Sequence, residues 1–329
     1  MSYTRREFGK LALAGVPAAT LLQRPFAALA QTRKPNSVIN GVNLGTITYS
    51  YRSMPDQSAE ATLRYILESG ISAIELMNGP AESFAGIPQT GRGGGRGAGG
   101  RGGIGQPPTP EQQAAQREAA EQVKQWRTSV SMDRFKALRK MYNDAGVTIY
   151  AWKVLNPNMS DEEFEYVFNV AEALGCTHTT LELPTDVAQF KRVGAFAEKR
   201  KIYAAYHTHT QATMTSFDQA FAVSKGNMAN IDLGHYVAGT GESPIPFLRK
   251  FHDRISSVHL KDRQTPAHGA GNLPWGTGDT PLKEILQLMK KEKYTFPASI
   301  ELEYDVPKKS DAVKEVAKCL DFCKAALAT

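Results

Sequence analysis

From residue 42 to residue 305 the chain alternates eight times between a short β-rich run and a longer segment with helical patterning. The runs cover residues 42–50, 71–78, 147–154, 176–184, 202–209, 228–236, 255–263 and 297–305. A strand that returns beside its predecessor through a helix runs parallel to it, and the helices then cover the sheet from outside. Eight such units predict an α/β fold, a (β/α)8 TIM barrel, as a single domain over residues 36–329. An open doubly wound sheet is the rival arrangement, and the lack of a G-x-G-x-x-G after the first run weakens it. Helix ends are legible as well. Ser160-x-x-Glu163 reads as a capping box, and Gly175 closes that helix. Gly70 and Gly146 stand where two further helices should stop, and Asp279-Thr280-Pro281 predicts an N-cap with proline in the first turn.

Two segments break the alternation, and together they carry the whole net charge. The chain has 329 residues, 41% hydrophobic and 22% charged, with a formal net charge of +6. Arg5, Arg6, Lys10 and Arg24 against Glu7 supply half of it, and Arg92, Arg96 and Arg101 supply the other half. The body is therefore neutral, which argues against a nucleic-acid partner. Residues 1–30 combine Thr4-Arg5-Arg6-Glu7-Phe8-Gly9-Lys10, an apolar run over 11–22 and a closing Ala28-Leu29-Ala30. That order predicts a cleaved signal peptide read by the twin-arginine export machinery, and a periplasmic or secreted bacterial protein. The apolar run is too short to stay in a bilayer, and no stretch of about 18 apolar residues occurs elsewhere, so no stable membrane anchor is expected. The second segment, residues 90–108, is Gly/Arg-rich and predicts a disordered low-complexity loop after the second strand. No aromatics interleave its arginines, which disfavours RNA binding, and a flexible insertion is preferred over a lid. Cys176, Cys319 and Cys323 are too few and too scattered for a disulfide framework and read as buried small side chains. A homo-oligomer is compatible with all of this.

Catalytic side chains of a parallel barrel gather at the C-terminal strand ends. Here the fourth run ends in Glu182, the fifth carries His207 and His209, and the sixth carries Asp232 and His235. The seventh holds His259, Lys261, Asp262 and Arg263, and the eighth Glu301 and Glu303. His268 lies just beyond, whereas His178 inside a strand and His252 near a helix end suit structural roles. Residues two apart share a strand face. If that face is the barrel interior, acids and imidazoles from five strands converge. Crowded carboxylates repel and raise one another's pKa; a divalent cation relieves this, and mixed oxygen and nitrogen donors suit Mn, Co, Mg, Fe or Zn. Any one of these residues alone is more often a satisfied polar side chain, so the convergence carries the expectation.

With these motifs in order, the chain resembles the xylose-isomerase-like TIM barrels, the sugar isomerases and epimerases that include tagatose epimerase and inosose dehydratase. The resemblance rests on Asp232-x-x-His235, His259-Leu260-Lys261-Asp262, Trp275-Gly276-Thr277-Gly278 and Ser299-Ile300-Glu301-Leu302-Glu303-Tyr304. It implies one divalent ion held by two Glu, one Asp and one His. Asp232 and His259 match directly, and the last Glu falls on Glu303, with Glu301 as the alternative. The other Glu ends the fifth strand in the epimerases, where this chain has His207. Either Glu182 supplies that ligand or His207 replaces it.

The implied chemistry is enediolate formation on a keto sugar or related carbohydrate, making the chain a metal-dependent isomerase or epimerase. Glu182 and Glu303 are the candidate acid–base pair, with His207, His209 or His235 as alternatives. Lys261 and Arg263 can polarise a carbonyl or hold a substrate oxygen; for Lys261, an ion pair with Asp262 or a buried carboxylate is the structural alternative. Expulsion of a leaving group from the same intermediate would make the site a lyase or dehydratase, like inosose dehydratase or an enzyme of 3-keto-glycosides. A non-catalytic sugar-binding barrel is the reading from a different class.

Overall fold

The computed structural model describes residues 34–89 and 109–329, of which Pro35–Thr329 form one unit. The export signal expected over 1–30 and the insertion expected over 90–108 lie outside the described residues. The eight expected strands are all present: β1 Val42–Ile47, β2 Ala73–Met77, β3 Thr148–Lys153, β4 His178–Glu182, β5 Tyr203–His207, β6 Asn227–Asp232, β7 Ile255–Leu260 and β8 Ala298–Ile300. Each pairs in parallel with the next, and β8 pairs with β1 through Ala298 and Leu44, so the ring closes. Closure leaves no strand edge open among the eight.

Most strands stop earlier than their β-rich runs, for local reasons. After β1 the chain tightens into a 3-10 turn at Thr48–Tyr51. Asp232, the last residue of β6, is at the same time the N-cap of the helix that follows, its Oδ1 accepting from the His235 amide at 2.7 Å. A backbone amide that would have continued the ladder is satisfied by a side chain instead. Helix ends follow the sequence in most cases. The Ser160/Glu163 box forms, and Gly175 takes the left-handed conformation at φ 76 that ends the helix. At 279–281 the expectation fails: Pro281 occupies the cap position itself, and Asp279 accepts from Thr265 and His268 instead.

Helices sheathe the ring, among them α1 Ala59–Glu68, α2 Asn78–Ala85, α3 Pro110–Ser129, α4 Asp133–Asp144, α5 Asp161–Leu174, α6 Val187–Arg200 and α7 Asp218–Val223, then α8 Leu233–Thr240, α9 Ile245–Phe251, α10 Leu282–Glu292 and α11 Ala312–Ala328. The main core lies between strands and helices, where Phe135, Trp152, Tyr166, Phe168 and Phe247 are buried. The α3 helix was not expected. None of its residues is buried, and it is tied down by Arg127, whose guanidinium reaches Glu82 at 2.9 Å and Glu163 at 3.4 Å. All three cysteines are buried and free. No helix among the described residues is long and apolar enough to cross a membrane.

Two register shifts matter for the interior. Ile74 pairs with Ile149 but Glu75 with Ala151, leaving Tyr150 as the extra residue; Ala229 pairs with Ile255 but Asn230 with Ser257, leaving Ser256. Such bulges bend a strand and re-aim its side chains. Tyr150 thereby enters the barrel, where Gly45 leaves room for it: a Cβ on Gly45 would lie 2.9 Å from its ring.

Candidate metal centre

The C-terminal ends of β5 to β8 deliver four buried donors to one place. His207 ends β5, Asp232 ends β6, His259 is the fifth residue of β7, and Glu301 directly follows β8. One donor atom from each lies within 4.8 Å of all the others. Neighbouring parallel strands hold these positions in register, with Asp232 opposite His259 and Ser299 opposite His259 on the other side.

Charge is compressed here. His259 is wedged between two carboxylates, its Nδ1 2.8 Å from Glu301 Oε2 and its Nε2 2.7 Å from Glu75 Oε2. Burial alone would lower its pKa, but the two carboxylates outweigh burial and hold it at about 10. Burial likewise works against a charged Glu75, and His259 overrides it, bringing that carboxyl to about 2. Asp232 goes the other way: burial lifts it to about 6, against the pull of Lys261. The Lys261 ammonium fills the space between three carboxylates, 2.9 Å from Asp232, 3.0 Å from Glu301 and 2.6 Å from Glu303. It makes no pair with Asp262, whose carboxylate instead accepts from the amides of Gly276, Thr277, Gly278 and Thr280. The W-G-T-G motif is thus a loop wrapped around one aspartate. A Cβ on Gly278 would collide with that carboxylate, and one on Gly234 with Lys261.

Several of the other sequence candidates border this centre. Glu303 sits at its mouth on Lys261, about a fifth exposed (22%), and His235 Nε2 lies 3.7 Å from it. Burial, with Lys261 and Arg263 nearby, lowers His235 to about 2, so it stays neutral and accepts from Arg263 through Nδ1. Glu182 is not brought into the four-donor group. It is half exposed (51%) and held by Lys153 at 3.1 Å and His209 at 3.3 Å. The rings of His207, His209 and His235 follow one another with successive centroids 5.0 and 4.8 Å apart, the middle one half exposed and the outer two buried. His268 is remote from it, on Asp279. His178 is structural in its contacts, bonding Thr177 and Ser257 in the barrel floor.

Sequence reasoning missed Glu75 and Asn230. Glu75 lies in β2 with no exposure at all, accepting also from Thr180 Oγ1 at 2.7 Å and Asn230 Nδ2 at 3.3 Å. A lone acid within the apolar run A-I-E-L-M was the available signal.

The residues fit a divalent ion on their own chemistry. The set offers two imidazoles and two carboxylates, a mixed donor group suited to first-row metals or magnesium. Asp232 Oδ2 is buried, and its neighbour of opposite charge is the Lys261 ammonium at 2.9 Å, which Glu301 and Glu303 share. One ammonium among three carboxylates leaves negative charge that an ion would offset.

A family description, the xylose isomerase-like TIM barrel, matches residues 112–323, well over half of the chain. The chain belongs to this family. Among curated proteins, the inosose dehydratase of Clostridium tetani is 27% identical over 135 residues, 35% of this chain and 45% of that protein. The matched stretch therefore spans less than half the length of that relative. Among solved structures, a sugar phosphate isomerase/epimerase from Parabacteroides distasonis aligns with a TM-score of 0.59 at 16% identity, covering 88% of this chain and 96% of that one. A family member from Mycobacterium smegmatis in complex with magnesium aligns with a TM-score of 0.53 at 14% identity, over 87% and 96%. At those identities the structures speak for the xylose isomerase-like fold alone.

Proposed function

We propose that this xylose isomerase-like barrel is a divalent-metal-dependent carbohydrate isomerase or epimerase that enolises an α-hydroxy ketone. The observation that carries the reading is the placement of two accessible carboxylates around the four-donor centre. Glu182 ends β4 and Glu303 follows β8, four strands apart in either direction around an eight-stranded ring. They flank the mouth from opposite sides.

His207, Asp232, His259 and Glu301 would hold the ion. The chemistry it would supply there is Lewis acidity, polarising a substrate carbonyl and offsetting the negative charge of the enediolate. The protein's own groups supply the proton transfers. One carboxylate removes the proton beside the carbonyl, and the other returns a proton from the far side, which inverts a carbon or shifts the carbonyl. Lys261, held between Glu301 and Glu303, brings positive charge to a substrate oxygen. Arg263, braced by Ala270 O and His235, is placed to hold another. The export signal read in residues 1–30 would put free sugars, oxidised sugars or inositol derivatives ahead of sugar phosphates as substrates.

A second reading is favoured by the likeness to inosose dehydratases and by His207 in place of a carboxylate. With imidazoles and ammonium groups around the mouth, the same enediolate can lose a β-hydroxyl or glycosidic oxygen, and the site is then a lyase. One experiment separates the two. The full chain, loaded with Mn2+, is incubated in D2O with keto sugars, inososes and 3-keto-glycosides, and the products are read by mass spectrometry and proton NMR. Deuterium beside the carbonyl of an intact skeleton supports the isomerase. A new alkene or released leaving group replaces it with the lyase, and no exchange across the panel refutes both.

A further inference from the structure

The Glu75 contacts reach both histidines of the four-donor centre. Directly, its Oε2 takes His259 Nε2 at 2.7 Å. Indirectly, the same oxygen accepts from Asn230 Nδ2, which also donates to Ser257 Oγ at 2.6 Å. These two acceptors fix the amide of Asn230 with its Nδ2 toward Glu75 and Ser257, so its Oδ1 faces the other way. Oδ1 meets His207 Nδ1 at 2.7 Å. A carbonyl oxygen can only accept, so His207 carries its proton on Nδ1 and leaves Nε2 bare. At His259 the logic gives the opposite nitrogen: Glu75 retains a proton on Nε2, and Nδ1 is the one turned to Glu301 and the other donors.

We infer that Glu75 is the positioning residue that selects the donor nitrogen of both histidines, Nδ1 of His259 directly and Nε2 of His207 through Asn230. The inference deepens the metal reading above and rests on it for the identity of what the nitrogens face. The geometry is suited to the task. Glu75, Asn230 and Ser257 are wholly buried; Glu75 and Asn230 each stand opposite a bulge in the neighbouring strand, and Ser257 directly follows the second bulge. Its position beneath the donors, not among them, distinguishes Glu75 from the ligand carboxylates. A carboxylate behind a ligating imidazole fixes the ring and raises its basicity, and losing it costs typically 10–100-fold in metal affinity.

The test uses the full chain with two measurements. Binding of Mn2+ alone is titrated by calorimetry for the wild type, Glu75→Gln, Glu75→Leu and Asn230→Leu. Metal-free imidazole 15N spectra report the His207 tautomer in the same proteins. The inference expects Mn2+ binding about 10–100-fold weaker in Glu75→Leu, with Glu75→Gln between it and the wild type. It also expects His207 protonated at Nδ1 in the wild type, with that signature lost in Asn230→Leu. Glu315→Gln, a buried carboxylate replaced outside the barrel interior, should lose stability without losing affinity. Unchanged Mn2+ affinity in both Glu75 variants would overturn the inference, as would His207 protonated at Nε2 in the wild type. Should Glu75→Leu fail to fold, Glu75→Gln and the wild-type spectrum still decide it. A wild type that binds no Mn2+ would refute the metal reading, while the tautomer spectra would still judge the role of Glu75 and Asn230.

Discussion

Replacing Lys261 with methionine removes one buried positive charge and keeps the apolar stem. In the structure that ammonium is the shared counter-ion of Asp232, Glu301 and Glu303, all within 3.0 Å, and its side chain is 3% exposed. Stripping one partner from a buried charge cluster costs about 3–5 kcal/mol, because the remaining charges stay desolvated and unpaired. At about 2 °C per kcal/mol for a chain of this size, Lys261→Met should melt roughly 6–10 °C below the wild type in chelator. Excess Mn2+ changes the comparison. An ion held by Asp232 and Glu301 replaces the lost charge, and in the variant it no longer shares those carboxylates with an ammonium. Excess ion stabilises both proteins, so the gap closes only by the difference in their affinities, about 1.4 kcal/mol for each tenfold by which the variant binds Mn2+ more tightly. The gap between the two proteins should therefore shrink by about 1.4 kcal/mol or more when melts followed by circular dichroism are repeated in Mn2+. A gap of the same size with chelator and with Mn2+ would show that lysine and ion do not share the carboxylates. A chelator gap below about 1 kcal/mol would remove Lys261 from its role as counter-ion.

Two further outcomes are expected. Glu182→Gln should leave Mn2+ affinity within about 2-fold while lowering deuterium incorporation by about 100-fold or more, the usual weight of a positioned acid–base group; a tenfold loss of affinity by calorimetry would instead put Glu182 among the ligands. Burial lowers His178 to about 4. The unfolded chain takes up this proton first, so its contribution to stability is complete above about pH 6.5 and is lost as pH falls towards 4, about 3 kcal/mol in all. His235, also lowered by burial, contributes in the same window, so His178→Gln should reduce the slope of urea-unfolding stability there, and a variant with the wild-type slope would rule His178 out as a source.

The ring was legible because each β-rich run is followed by a segment of helical period, and that repetition survives errors of a few residues at every boundary. The cluster was legible in outline because strand ends can be counted from the sequence. Which acid on β4 or β8 approaches the histidines was not, since Glu301 and Glu303 share a face and only the closing angle of the chain after Ile300 distinguishes them. Glu75 escaped for a different reason. Its partner His259 lies 184 residues away, and only closure of the ring brings β2 and β7 face to face across the interior. The α3 helix escaped because its apolar stripe is narrow, Ala119, Val123 and Trp126 on an otherwise polar helix, and none of its residues is fully buried.

Ring closure also has a consequence for how the protein matures. Three of the four donors are in place once β7 is added, but Glu301 arrives only with β8, the strand that joins β7 to β1. A chain still growing, or one whose last strand has come loose, therefore presents an incomplete donor set. Were the centre to hold an ion, its retention would report on whether both ends of the barrel have met.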